Sequence, residues 1–207
     1  MTDTSLLDSM IIRHVEDIAL AFARLDNEIA DRLGEETARV FAAKQTELGW
    51  SGEADRKLED AQWLAPPEWG SGSEDEDEHD LFVCLETDNE GGDHSWPAYF
   101  ICAAGTEIYL EVSSDAFEKS KSWKSFLTSD PVQKLVSELV ATGKFSLVVN
   151  RSNARLFIPI NFVREDMVAA FEDEDFSKAF QPLGEAIDAF ASSKPLLERL
   201  LREIRAD

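Results

Sequence analysis

The chain has 207 residues, 43% of them hydrophobic, with 42 acidic side chains against 20 basic ones and a net charge of −22. That length and composition support a folded core and exclude wholesale disorder, while the charge disfavours direct contact with nucleic acid or an anionic membrane, both of which need clustered Lys or Arg. No run approaches the ~18 apolar residues of a membrane span, MTDTSLLDSM lacks the basic and apolar parts of a secretory leader, and Cys84 and Cys102 sit in apolar runs as small buried hydrophobes of a reducing compartment, so a cytoplasmic protein is expected.

The first predicted element is a long amphipathic helix. Ile11, Val15, Ile18, Phe22, Leu25, Ile29 and Leu33 recur three or four residues apart and form one apolar stripe. Acids and arginines fill the other faces. Gly34 suits a C-terminal cap, and a second helix over 35–48 would stop at Gly49. The stripe is read either as packed on its own domain, as most helices are, or as a dimerising helix of a homodimer.

Residues 50–80 read as irregular. WLAPPEWGSGSEDEDEHD combines prolines, glycines and a dense acidic run with Trp63 and Trp69, which would pin the loop to the body or form a contact patch. Three strands are predicted next. Leu81–Leu85 is continuously apolar, NEGGD over 89–93 carries turn chemistry, and Pro97–Ala104 is a second apolar run. Glu107–Ser113 alternates, with Ile108, Leu110 and Val112 on one side and Glu107, Tyr109 and Glu111 on the other.

A helix follows from Asp130, as N-cap, and Pro131 to Gly143, with Val132, Leu135, Val136 and Leu139 on its apolar face. Phe145–Val149 and Ala154–Ile160 flank the hairpin loop Asn150-Arg151-Ser152-Asn153. Pro159 cannot donate to a ladder, which places that strand at an edge or at its end. The tail is helical, first through Met167, Phe171, Leu183, Ile187 and Phe190, then from Lys194-Pro195 through Leu197, Leu200, Leu201 and Ile204. The expected fold class is α+β, with an antiparallel sheet of about five strands in the order α-β-β-β-α-β-β-α. Its parts are a helical region over 1–50, an acidic loop over 51–80 and an α+β core with C-terminal helices over 81–207.

The charge is uneven. Residues 61–96 hold 11 acids and no base, and a second run, FEDEDF, covers 171–176. Such blocks ordinarily mark solvated segments, but they also steer a basic partner. The small positive balance at Lys119, Lys121 and Lys124, interleaved with Trp123, is too slight for a nucleic-acid site. No phosphate-loop, dinucleotide or nucleophile-elbow motif is present. His14 lies beside the helical stripe. His79 and His94, with Asp77, Asp80 and Asp93 nearby, could hold a divalent metal, though their spacing matches no established signature. Cys84 inside LFVCL is quieted by burial.

The order of elements carries a resemblance. Leu81–Val112, Pro131–Gly143 and GKFSLVVNRSNARLFIPINFVREDMVAAF, about 81–190 in all, resemble class I type III secretion chaperones and the related YbjN-type regulator domains. The resemblance implies a non-enzymatic homodimer that binds an extended partner segment or regulates by protein contact. The longer helical start and the acidic loop depart from it. The same order is also similar to PD-(D/E)xK nucleases, which need acids on neighbouring strands and a lysine. Here Ser113 stands at the lysine position of Glu111-Val112-Ser113, and YFICAA offers no acid.

The leading expectation is an acidic protein-binding module, chaperone-like or regulatory, for a basic or extended protein segment. The contact residues would be Trp63, Trp69, Glu74, Asp75, Glu76, Asp77, Glu78, Asp80 and Trp96, with Glu172, Glu174, Asp173 and Asp175 as a second part of the negative surface. The alternatives are a nucleic-acid-mimicking inhibitor or an immunity protein against a basic toxin, and a metal-dependent hydrolase. No catalytic residue, metal or cofactor is assigned.

Overall fold

The computed structural model describes residues 4–57, 62–71, 78–89, 96–101, 103, 105–117 and 120–206. The amphipathic start forms a rod: α1 (Thr4–Arg13), a break at His14, α2 (Val15–Arg24), a π-helical turn (Leu25–Ile29) and α3 (Ala30–Leu48). Gly34 does not end a helix. It is buried inside α3 beside Leu33, Thr37 and Phe41, and the burial of those neighbours offsets the ~1 kcal/mol that an interior glycine costs. Gly49 is the real stop. Its φ of 66° is the left-handed region that an unbranched backbone adopts freely, and its N–H donates to the Gln45 carbonyl.

The segment expected to be irregular opens with a hairpin instead. β1 (Ser51–Ala54) pairs antiparallel with β2 (Gln62–Ala65). Gly52 permits it, because a Cβ there would lie 2.3 Å from the Trp63 carbonyl oxygen. A short 3-10 turn, Pro67–Trp69, follows. β3 (Phe82–Asn89) and β4 (Thr106–Ser113) then form the longest ladder of the sheet, from Phe82↔Ser113 to Asn89↔Thr106.

Between those two strands the apolar run read as a strand contains α4 (Trp96–Phe100). Pro97 is at home in a helix's first turn, and Phe100 drops into the core against Phe162 and Phe180. After β4 come α5 (Ser120–Leu127), α6 (Asp130–Ala141), β5 (Ser146–Val149), β6 (Ala154–Pro159), α7 (Arg164–Asp173), α8 (Gln181–Ser192) and α9 (Lys194–Ile204). Ser129 rather than Asp130 is the N-cap of α6, and Gly143, at φ 74°, closes its C-terminal turn.

The fold is mixed helix and sheet, as expected, but the sheet has six strands in the order β1-β2-β3-β4-β6-β5. β6 is interior, between β4 and β5, and Pro159 is its last residue. Register puts Leu64, Val83, Leu85, Leu110, Val112 and Ile158 on one face. That face joins Phe41 of α3, Phe190 of α8 and Leu200 of α9 in one apolar core. Each fully buried aliphatic side chain there contributes about 1.5–3 kcal/mol.

Candidate functional site

The opposite face of the sheet has another character. Side chains alternate along a strand, so Phe82, Cys84, Glu86 and Asp88 of β3 point away from the core. Register sets them beside Tyr109, Glu111 and Ser113 of β4, and Glu111 in turn faces Phe157 of β6. Trp63 of β2 stands opposite Cys84. Most of these side chains are half-buried, Glu86 is exposed, and Tyr109 and Phe157 are buried.

Arg155 binds this surface together. Its Nη1 donates to the Tyr109 hydroxyl at 2.7 Å and lies 2.6 Å from the Asp88 carboxylate. The guanidinium also sits 5.2 Å above the Tyr109 ring. Among the described residues, the face holds Glu53, Glu86, Asp88, Glu107 and Glu111, with Arg155 as the cation paired among them.

The imbalance shows in the acid strengths. Burial first, then the negative charge of Glu86, push the Glu111 carboxyl up to about 7, against the pull of Arg155. Desolvation by the surrounding side chains also raises Glu86, exposed though it is. Tyr109 rises to about 12, again chiefly by burial. The Cys84 thiol is raised too, with Ser113 Oγ at 3.5 Å giving only weak relief. It is therefore a poor nucleophile, in line with its place in LFVCL. Near neutrality this face carries a carboxyl that exchanges its proton, further carboxyl side chains around it and aromatic walls. An added cation would bring Glu111 back toward the ordinary carboxylate range.

The residues singled out from sequence are scattered. Trp63 lies on this face, its ring 4.6 Å from His79 and 6.2 Å from Phe82. Trp69 is fully buried, edge-on to Phe190, and belongs to the core rather than to a contact patch. Trp96 is half-buried against Tyr99. Glu78 is exposed and accepts from Ser71 at 3.4 Å. Asp80 is tied to Arg205, the residue that caps α9, at 2.7 Å, so it fastens the chain rather than offering free charge. Glu74, Asp75, Glu76 and Asp77 lie outside the described residues.

Glu172, Asp173, Glu174 and Asp175 are exposed where α7 ends. Glu174 takes a left-handed φ of 56°, and Asp175 accepts the Ser177 N–H, which holds its carboxyl below the ordinary range. Phe171 meets Phe176 edge-on beside them, and Arg32 of α3 covers the Phe176 ring at 4.8 Å. Asp80 is thus fastened beside the end of α9 and residues 172–175 lie at the end of α7, and no ion pair or hydrogen bond joins the two among the described residues.

His79 is buried under Trp63, while Asp77, Asp93 and His94 lie outside the described residues. No group of three or more His, Cys, Asp or Glu among the described residues could hold a metal ion. Of the lysines, Lys124 Nζ is taken up by the Asn150 and Arg151 carbonyls, and Trp123 is buried in a stack with Phe126. Lys119 and the side chain of Lys121 lie outside the described residues. The strand beside β4 is β3, which does carry acids, in contrast to the apolar run expected there. Ser113 still stands where nuclease chemistry requires lysine.

Glu86, Asp88 and Arg155 escaped sequence reasoning. The alternation of Glu107–Ser113 already placed Glu111 on the polar side, but LFVCL hid the matching alternation of β3. No protein family matches the chain, and no curated protein or solved structure is significantly similar to it.

Proposed function

We propose that this is a non-enzymatic protein-binding module, chaperone-like or regulatory, which takes a basic extended segment of a protein partner on the outer face of its sheet. The observation that carries this reading is the set of Glu86, Asp88, Glu107 and partly desolvated Glu111, for which Arg155 is the paired cation among the described residues. A partner's Lys or Arg would complete the charge balance, with Trp63 and Phe82 offering apolar surface to the stem of that side chain. The net charge of −22 steers such a segment toward the molecule.

The test is calorimetric titration of the full chain with an unstructured Lys/Arg-rich decapeptide, and with an acidic peptide of equal length, at pH 8 and pH 6. Only the basic peptide binds, and it binds about tenfold more weakly at pH 6, where Glu111 has taken up its proton. That loss is the worth of one charge-assisted hydrogen bond. The double substitution Glu86→Gln/Glu111→Gln weakens binding at pH 8 at least as much. Equal affinity in wild type and the double variant, or no heat with the basic peptide at millimolar concentration, overturns the reading.

A further inference from the structure

The apolar side of the rod is left unused. Leu7, Ile11, Val15 and Phe22 on it are 44–60% exposed, and none of residues 7–29 is buried. From Leu33 onward the same rod is sunk into the core. The π-helical turn Leu25–Ile29 divides the two parts. Its extra residue shifts the helical register, and α3 presents Leu33, Thr37 and Phe41 to the body.

We propose that this arm, α1 and α2, joins two copies of the chain, arm against arm and antiparallel. Three observations select a second copy as the occupant. From Ile11 to Leu25 the stripe keeps the alternating spacing of four and three by which helices pair with their like. Leu7, Val15 and Phe22 of the stripe each keep more than half of their surface in water, apolar area that a like helix laid along the stripe would cover. The arm's polar side carries Asp8, Glu16, Asp17, Asp26 and Glu28 against Arg13 and Arg24, which sets it against an anionic lipid surface.

Charge also selects the direction. A parallel pair would bring two strongly acidic bodies side by side. The arm, Thr4–Arg24, spans about 30 Å at 1.5 Å per residue. An antiparallel pair therefore keeps the bodies apart by several Debye lengths, each ~8 Å at physiological salt, and has the two-fold symmetry of most homodimers. This contact uses none of the residues of the outer sheet face, so the two ideas stand or fall separately.

Light scattering and sedimentation equilibrium of the full chain over 1–100 µM test it. The wild type is a dimer in this range. The double substitution Val15→Glu/Phe22→Glu, at two exposed positions, weakens association at least 100-fold and leaves circular dichroism and the unfolding midpoint unchanged. Direction is read by spin labels at the exposed Asp26→Cys in a Cys84→Ser/Cys102→Ala background. Arms paired over Thr4–Arg24 cross near His14 and place the two labels about 35 Å apart. A monomer at every concentration, a dimer indifferent to V15E/F22E, or a label separation under about 20 Å overturns the proposal.

Discussion

Leu110 and Glu111 are neighbours on β4 and live in different solvents. Leu110 is fully buried, opposite Leu85 on one side and Ile158 on the other. Glu111, one residue on, faces out beside Glu86, with water still within reach. The inner face is made of side chains whose only requirement is to leave water, so any well-packed apolar set serves it. The outer face gathers acids that would be better hydrated elsewhere, and the stability of the fold does not require them there. A surface kept at a cost to stability is where function is to be sought.

The comparison breaks first at Leu110. Leu110→Ala leaves a cavity among β-sheet and helix side chains and costs about 3 kcal/mol in denaturant unfolding at pH 7, within the 2–5 kcal/mol range of such truncations. If the neighbouring Glu111→Ala costs as much, the outer face is core and the distinction fails.

Glu111→Gln has the opposite sign. The folded protein holds the Glu111 proton up to about pH 7, against an ordinary value near 4.5. Between those two pH values the folded state binds more protons than the unfolded one. Stability from this group is therefore full below about pH 4.5 and is lost as pH rises through 7. At pH 8 the variant is more stable than wild type by up to about 2 kcal/mol, the full shift being discounted for the water that reaches the carboxyl. At pH 5 the two melt together. Melting curves at the two pH values decide it, and a variant less stable at pH 8 contradicts the assigned desolvation.

Arg155→Ala produces the smallest change in stability and sharpens the electrostatic side. Its ion pair with Asp88 and its cover over Tyr109 are worth about 1 kcal/mol together. The more telling readout is a carboxyl carbon titration by NMR. With its cation gone, Glu111 titrates above its wild-type midpoint, and an unmoved midpoint shows that Arg155 does not reach it.

Local chemistry made several elements readable in advance. The hairpin over 145–160 was visible because its two alternating runs flank a polar loop. There Asn150 Oδ1 accepts the N–H groups of Ser152 and Asn153. The helix that ends near Gly143 and the stop at Gly49 followed from cap chemistry. Other elements carried no local signal. SGEA has no strand propensity, and β1 exists because β2 pairs with it and Gly52 lets the backbones close. WPAYF was apolar enough for strand or helix, an ambiguity that periodicity alone does not resolve. Trp69 sat in a loop of prolines and glycines, and only the position of Phe190 drew it inside. The candidate site was half legible, since alternation oriented Glu111 while its companions depend on register.

What the amino-acid order by itself determined were the properties that lie within a few residues: helical stripes, strand alternation, caps, turns and the strong negative charge. Tertiary structure alone decided which stripe is covered and which is left open. Leu197, Leu200, Leu201 and Ile204 of α9 are buried, while Ile11, Val15 and Phe22 of the arm, patterned in the same way, are not. It also decided that Glu86, Asp88, Glu111 and Arg155 share one surface. Both outcomes turn on contacts between segments distant in the chain, and the free energy of a side chain depends on the neighbours that such contacts supply.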